Sequence, residues 1–133
     1  MKRCLDTNVF IDLMRKRPDV LARMAASKAE SFWVSEVVRA ELLTGCLKSQ
    51  NPDGERAKVC HLLSSMSLVP FGGRAVEHYA AIRTELEAAG KSIGANDLMI
   101  AATVRSMGAV LVTANLSEFK RVPGLMVESW REG

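Results

Sequence analysis

Short apolar segments alternate with helical patterns along the whole chain, and this alternation restricts the possible folds more than any other feature of the sequence. The clearest segments lie around Leu5, around Val34 and at 110–113. They are continuously apolar, whereas a strand with one solvent-exposed face alternates polar and apolar residues. Continuous apolar strands separated by helices are typical of a parallel sheet buried on both faces. The sequence therefore predicts an α/β fold with a short, mostly parallel sheet of four to five strands and helices on both faces.

The order of the predicted elements indicates one folding unit. Predicted strands cover residues 3–5, 32–34, 68–70, 110–113 and 127–130, and predicted helices cover 7–15, 18–24, 36–45, 55–66, 74–89 and 96–107. Residues 51–54, Asn-Pro-Asp-Gly, predict a loop, and Gly90 and Gly108 are typical helix ends. No repeat or low-complexity stretch interrupts this order, so residues 1–133 are predicted to form a single domain.

Composition and charge argue against several classes of protein. The three cysteines are odd in number and form no CxxC pair, which argues against a disulfide framework or a structural zinc site. The apolar runs are too short to span a bilayer, and no basic-then-apolar leader opens the chain, so a cytoplasmic protein without membrane contact is predicted. The net charge of +3 permits a nucleic-acid partner without requiring one.

One dense basic run, Arg15-Lys16-Arg17, has two interpretations. Its cations could complement the carboxyl end of the first predicted helix, which Pro18 would stop. They could also contact the phosphates of RNA. The sequence leaves both interpretations open.

Polar side chains follow the first and the fourth predicted strands. Asp6 comes directly after the first strand, and Thr113 and Asn115 close the fourth. Open parallel sheets bind their ligands beyond the carboxyl ends of the strands. We therefore expect these polar residues at a ligand-binding edge of the sheet.

Two further acids lie on helix faces that point inward. Glu41 lies between Val37 and Val38 on the surface of its helix, and Asp97 shares the apolar face of its helix with Ile100. An unpaired inward carboxylate is costly, and neither helix supplies a lysine or arginine at a matching spacing. A bound cation would satisfy both acids together with the aspartate after the first strand, as expected for a hard divalent ion held by oxygen ligands.

Each of these three acids also has an ordinary structural interpretation. Asp6 could cap a helix, and Asp97 could be an acid favoured in a first turn by the helix dipole. Glu41 could be one more partly exposed helical glutamate. Only their joint occurrence, after a strand and on inward helix faces, favours a metal site.

Four sequence blocks carry a family resemblance. They are Leu5-Asp6-Thr7-Asn8, Glu41-Leu42, Asn96-Asp97-Leu98-Met99-Ile100-Ala101-Ala102 and Thr113-Ala114-Asn115-Leu116-Ser117-Glu118-Phe119. In this order they resemble the PIN-domain family and, within it, the VapC-type toxins of bacterial type II toxin–antitoxin pairs. The similarity covers essentially the whole chain, including residues 121–125 and Trp130. It implies a PIN-like three-layer sandwich that forms a single nuclease domain.

The resemblance also implies roles for the residues in these blocks. Asp6, Glu41 and Asp97 match the three acidic ligands of the family's catalytic metal, which is Mg²⁺ or Mn²⁺. Asn115 matches a catalytic position that is often a fourth aspartate, so its amide leaves the number of bound ions open. Supporting roles are implied for the residues next to these side chains, namely Thr7, Asn8, Thr113 and Glu118. Glu118 could equally be a surface acid in a short turn.

The activity implied by the resemblance is hydrolysis of RNA by a metal-dependent endoribonuclease toxin. Initiator transfer RNA, cut in its anticodon stem-loop, is the first substrate to test. The implied partners are a small VapB-like antitoxin and a second copy of the chain. Together these would form a higher-order toxin–antitoxin complex.

Two other functions stay open at this point. A non-catalytic PIN-like binding module would be expected to have lost one of the three acids, and none is lost. A phosphoryl-transfer enzyme of the haloacid-dehalogenase type usually needs a second aspartate where Asn8 stands. A receiver-type protein needs an aspartate after the third strand, where Pro70 and Phe71 stand. These departures favour the nuclease.

Overall fold

The computed structural model describes residues 1–27 and 32–132, in which helices and strands alternate as predicted. The strands are β1 (Arg3–Leu5), β2 (Phe32–Ser35), β3 (Ser67–Val69), β4 (Val110–Val112) and β5 (Met126–Glu128). The helices are α1 (Thr7–Met14), α2 (Pro18–Ala26), α3 (Glu36–Leu47), α4 (Pro52–Leu63), α5 (Arg74–Ala88), α6 (Ala95–Ser106) and α7 (Leu116–Phe119). None of these helices has the length and apolar character that crossing a membrane requires.

The strands of the described residues form one sheet in the order β3-β2-β1-β4-β5, and every neighbouring pair is parallel. In β4 the consecutive residues Val110, Leu111 and Val112 are all buried. Successive side chains of a strand point to opposite faces, so both faces of the sheet must be covered. The predicted α/β fold, a parallel sheet with helices on both faces, is therefore confirmed.

The inner sides of three helices supply much of the remaining core. Val9 and Phe10 on α1, Val38 on α3, and Ile100 and Val104 on α6 are each at most 3% exposed. Burial of a side chain of this size contributes about 1.5–3 kcal/mol relative to exposure. These contacts fix the helices on which four of the eight predicted site residues lie, namely Thr7, Asn8, Glu41 and Asp97.

The helices differ from the prediction at two places, one a misplaced start and the other a helix that was not predicted. Helix α4 begins at Pro52, within residues predicted to be a loop, and ends at Leu63. The Asn51 side chain accepts a hydrogen bond from the backbone N–H of Gly54, and proline suits the first helical position because no donor is needed there. Helix α7 has no counterpart among the predicted elements, because its 4 residues are too few to show a helical period.

The C-terminal segment packs across the first part of the chain. Trp130 is 2% exposed, and its ring meets that of Phe32 edge-on with centroids 5.9 Å apart. Arg131 forms a bidentate pair with the buried carboxylate of Asp12 on α1, at 2.7 and 2.9 Å. These contacts hold α1, whose first turn follows Asp6, against the rest of the molecule.

Candidate active site

The chain reverses its direction across the sheet between β1 and β4. It proceeds outward from β1 through β2 to β3, and then continues with β4 and β5 on the other side of β1. Open parallel sheets bind ligands at such a switch point, beyond the carboxyl ends of the strands. Asp6 follows β1 and Thr113 follows β4, and the backbone N–H of Asp6 donates to the Val112 carbonyl at 2.9 Å. The two polar strand ends therefore lie side by side at the switch point.

Asp6 is held by hydrogen bonds on both carboxylate oxygens, and it is only 5% exposed. Its Oδ2 accepts from the Thr113 hydroxyl at 2.7 Å and from the Asn8 amide at 3.2 Å. Its Oδ1 accepts from the backbone N–H of Thr7 at 2.8 Å. Burial raises the pKa of Asp6, while these hydrogen bonds act in the opposite direction. Asp6 is thus the N-cap of α1 and also a buried carboxylate of fixed orientation.

Thr113 is fully buried and links the ends of β1 and β4. Besides donating to Asp6, its hydroxyl accepts hydrogen bonds from the Asn8 amide at 3.3 Å and from the backbone N–H of Asn115 at 3.0 Å. The side-chain carbonyl of Asn8 accepts in turn from the backbone N–H of Ala114 at 3.0 Å. Several of the residues predicted to support the metal ligands therefore form one polar network around Asp6.

Glu41 reaches the same site from the middle of α3. Its Oε1 accepts from the Thr7 hydroxyl at 2.7 Å, and its Oε2 lies 3.5 Å from the side-chain nitrogen of Asn96 at the start of α6. The charge of Glu41 contributes to the raised pKa of Asp6, as expected for neighbouring carboxylates. Asn96 has no predicted role, although its place directly before Asp97 is a signal that could have indicated one.

Asp97 and Glu118 form a carboxyl pair between α6 and α7. Asp97 lies in the first turn of α6 and is partly buried. Burial, the hydrogen bond with Glu118, and repulsion from Asp6, Glu118 and Glu41 raise the pKa of Asp97 to about 7. Glu118 also accepts a hydrogen bond from the Asn115 side-chain amide at 2.9 Å. Asp97 therefore retains its proton to a much higher pH than an exposed aspartate does.

Within residues 1–27 and 32–132, the four carboxyl groups of the site have no positively charged side chain as an ion-pair partner. Ion pairs among residues 1–27 and 32–132 engage other acids, and none of them includes Asp6, Glu41, Asp97 or Glu118. Desolvating unpaired carboxylates is costly, and two of them about 5 Å apart repel by roughly 3 kcal/mol at an effective dielectric near 20. A divalent cation would offset both costs, and oxygen ligands of this kind suit Mg²⁺ or Mn²⁺.

The carboxyl groups are neighbours, but they do not yet surround a common point. In the described part of the chain, no three histidine, cysteine, aspartate or glutamate side chains are arranged so that they could hold one ion as they stand. The Glu41 carboxylate is turned to Thr7, and that of Asp97 is turned to Glu118. The chemistry of the donor set therefore fits a divalent ion, whose binding would replace these two hydrogen bonds.

The residues predicted for the site all lie at this edge of the sheet. They are Asp6, Thr7, Asn8, Glu41, Asp97, Thr113, Asn115 and Glu118. The Asn115 amide binds Glu118, so Asn115 reaches the cluster through the carboxyl pair. The catalytic roles of Asp6, Glu41, Asp97 and Asn115 stay predictions, as do the supporting roles of the other four residues.

Known proteins resemble the chain over nearly its whole length. The family model for the PIN domain matches residues 3–125. Ribonuclease VapC2 of Rickettsia felis is 37% identical over 128 residues, which cover 95% of this chain and 96% of that protein. The tRNA(fMet)-specific endonuclease VapC of Salmonella typhimurium is 33% identical over 130 residues, 98% of each chain.

Solved structures agree with this similarity in sequence. VapBC2 from Rickettsia felis, crystallised bound to a DNA fragment from its promoter, contains a chain that matches this structure with a TM-score of 0.93. That match has 35% sequence identity and covers 98% of this chain and 100% of the other. The chain therefore belongs to the PIN-domain family and, within it, to the VapC-type ribonucleases.

Proposed function

We propose that the chain is a divalent-metal-dependent endoribonuclease toxin in which Asp6, Glu41 and Asp97 hold Mg²⁺ or Mn²⁺. The observation that carries this proposal is a cluster of carboxyl groups at the switch point of the sheet, which no cationic side chain of the described residues neutralises. The family supports the nuclease activity, because relatives at 33–37% identity are named ribonuclease or endonuclease.

The chemistry of phosphodiester hydrolysis suits these side chains. When bound, a divalent ion supplies a water of lowered pKa and a positive charge for the phosphate in the transition state. Asp6 enters this chemistry in a fixed orientation, because Thr113 and Thr7 bind its two oxygens. Asp97 must release its carboxyl proton when it becomes a metal ligand, since metal ligands bind in the deprotonated state.

Asn115 and Glu118 adjoin the metal ligands in this proposal. The Asn115 amide donates to the Glu118 carboxylate at 2.9 Å and so holds it next to Asp97. Glu118 is then the carboxylate beside Asp97 that would bind a second cation. An amide at position 115 supplies no negative charge, so a second ion would depend on Glu118.

RNA cleavage by the purified chain should require Mg²⁺ or Mn²⁺, because its acids provide only oxygen ligands and repel one another without a cation. The test is to free the purified chain of any antitoxin and to incubate it with total transfer RNA, once with added metal and once with excess chelator. The products are then resolved on a gel. Calcium in place of magnesium serves as a control for charge neutralisation alone. Equal cleavage in chelator would rule out the metal-dependent mechanism.

Initiator transfer RNA, cut in its anticodon stem-loop, is the substrate that we propose for this nuclease. The support is similarity to the tRNA(fMet)-specific endonuclease VapC of Salmonella typhimurium, 33% identical over 98% of this chain. Mapping the ends of the RNA fragments from the same reaction determines the cleavage site. Release of phosphate from a simple phosphomonoester, with all RNA intact, would instead favour a phosphoryl-transfer enzyme.

A small VapB-like antitoxin and a second copy of the chain are the proposed partners. The VapC2 relative from Rickettsia felis was crystallised as part of a VapBC2 complex, which supports the antitoxin. Val37, Ala40 and Met99 line an open depression beside Glu41 on α3 and α6, which supports self-association at that surface. A larger complex would then contain both partners.

Expression of the chain alone should arrest bacterial growth, and co-expression with a neighbouring antitoxin gene should relieve the arrest and yield a stable complex. The expected size of the purified chain in light scattering is that of a dimer. The matched control is the Asp97→Asn chain, which should bind the same partner without arresting growth. A monomer that captures no partner and slows no growth would contradict this proposal.

A further inference from the structure

A groove leads away from the candidate active site between α1, α3 and α4. It has a volume of about 450 Å³ and begins at Thr7 and Glu41, whose side chains are hydrogen bonded to each other. Met14, Leu42 and Val59 give it apolar walls. The groove therefore begins at Glu41, one of the carboxyl groups that are proposed to bind metal.

One face of α1 forms a complete side of this groove. Thr7, Ile11, Met14 and Arg15 all line it, and their spacings of four, seven and eight residues place them on one stripe of the helix. Eight residues of α-helix span about 12 Å, or roughly three stacked nucleotides at about 3.4 Å each. The groove thus connects the active site to Arg15 over a distance that suits a short RNA segment.

Arg15 is a cation of this groove whose charge has no partner among the residues that the structure describes. In residues 1–27 and 32–132, no ion pair and no side-chain hydrogen bond engages its guanidinium. By contrast, Arg17 of the same basic run pairs with Asp19 at 2.7 Å, and Lys58 in the groove pairs with Glu55 at 3.2 Å. The basic run is therefore divided, with Arg17 engaged in the fold and Arg15 presented to the groove.

We propose that this groove binds the RNA strand beside the cleavage point, with a base packed on its apolar wall and a phosphate bound by Arg15. The inference rests on the proposed nuclease function, which places a substrate phosphate at the end where the groove begins. A guanidinium matches a phosphate with two parallel hydrogen bonds. An RNA strand supplies both a flat base and a phosphate, whereas an apolar peptide would leave Arg15 without an anionic partner.

The test of the phosphate contact is Arg15→Gln, measured as the affinity for a short fluorescein-labelled single-stranded RNA. Both the reference and the variant carry Asp97→Asn, so that the RNA is not cut. The Kd should rise roughly tenfold, as for one lost hydrogen-bonded charge. The slope of log K against log salt should become shallower by about 0.7, because one phosphate contact on a single strand is lost. A purely structural role for Arg15 would leave that slope unchanged.

The matched control is Arg56→Gln. Arg56 is exposed on α4, is not a lining residue of the groove and has no ion pair within the described residues, so the substitution changes the net charge equally. Its Kd and its salt slope should match those of the reference. If Arg56→Gln and Arg15→Gln shift both quantities equally, general charge explains the binding and the proposal is overturned.

The base contact is tested by Gly45→Leu, which fills the groove from α3. Gly45 lines the groove, and a Cβ there would have no atom within 4 Å, so a longer side chain starts from open space. The melting temperature should not fall, since leucine also has the higher helix propensity. RNA binding should weaken by about tenfold with the salt slope retained, because an apolar contact rather than a phosphate contact is lost. Gly45→Ala should weaken it less.

These measurements separate the groove from the proposed catalysis. Unchanged RNA affinity and salt slope in both variants, while the otherwise unaltered chain still cuts RNA, would overturn the groove proposal and leave the nuclease intact. Loss of antitoxin binding in both variants without a change in RNA affinity would assign the groove to a protein partner and also overturn it. Weaker RNA binding with the predicted slopes would support the groove even if the unaltered chain proved inactive.

Discussion

Replacing Asp97 with asparagine should lower the rate of RNA cleavage by at least about a thousandfold, or roughly 4 kcal/mol of transition-state stabilisation. Asparagine has nearly the same shape as aspartate, and its amide can still donate to Glu118, so the first turn of α6 should persist. What is lost is a negatively charged ligand in a cluster that gathers a divalent ion. The measurement is single-turnover cleavage of the mapped RNA substrate in saturating magnesium.

The control for this prediction is Asp53→Asn, which makes the same change of charge at a similar place on another helix. Asp53 lies in the first turn of α4 and is exposed, and it takes no part in the carboxyl cluster. Cleavage by this variant should equal that of the unaltered chain. Retention of more than about a tenth of the activity by Asp97→Asn would show that Asp97 is no essential ligand.

The same Asp97→Asn substitution should stabilise the metal-free fold at neutral pH, by about 1 kcal/mol after solvent screening. Burial and neighbouring acids raise the pKa of Asp97 to about 7, so the folded state holds its proton more tightly than the unfolded state does. The free energy of unfolding of the unaltered chain should therefore decline as pH rises from about 4 to 7. The difference in unfolding free energy between the variant and the unaltered chain should be largest above pH 7 and should vanish in acid.

Thermal melts in chelator at acidic and neutral pH test this prediction, and about 1 kcal/mol corresponds to a shift of about 4 °C for a chain of this size. With added magnesium the unaltered chain should melt at a higher temperature than the variant. Magnesium at a hundredfold excess over its Kd stabilises the unaltered fold by about 2.7 kcal/mol. Asp53→Asn should be neutral or slightly destabilising, since it loses only a favourable helix-dipole contact. A lower melting temperature of Asp97→Asn in chelator at neutral pH would show that Asp97 acts as a structural hydrogen-bond acceptor.

Patterns that are local in the chain gave the reliable predictions. Buried strands are read from continuous apolar segments, and the end of β1 places Asp6 at the edge of a parallel sheet. The start of α4 was misplaced because Asn51 and Pro52 suit a loop as well as a helix start, and Asn51 caps the helix through its side chain. The single turn of α7 is too short for a period to be detected.

Contacts between residues distant in the sequence were beyond these patterns. The Asn96–Glu41 contact joins residues 55 positions apart, and no spacing rule relates α3 to α6. Likewise, the sequence is equally consistent with Glu118 as a site residue and as a surface acid. The packing of α7 places Glu118 against Asp97 and so decides between them. Side-chain partners across helices depend on how the helices dock, which is a property of the whole core.

The sequence by itself determined the α/β class, the acids at the ends of elements and the family, because each rests on the order and spacing of residue types. Only the tertiary structure decided which groups share an environment. It places Glu118 against Asp97, and this contact helps to raise the pKa of Asp97. It also distinguishes two cations of the basic run, because Arg17 pairs with Asp19 whereas Arg15 lines the groove. The physical reason is that burial, repulsion and ion pairing depend on distance in space, which folding sets and the chain order does not.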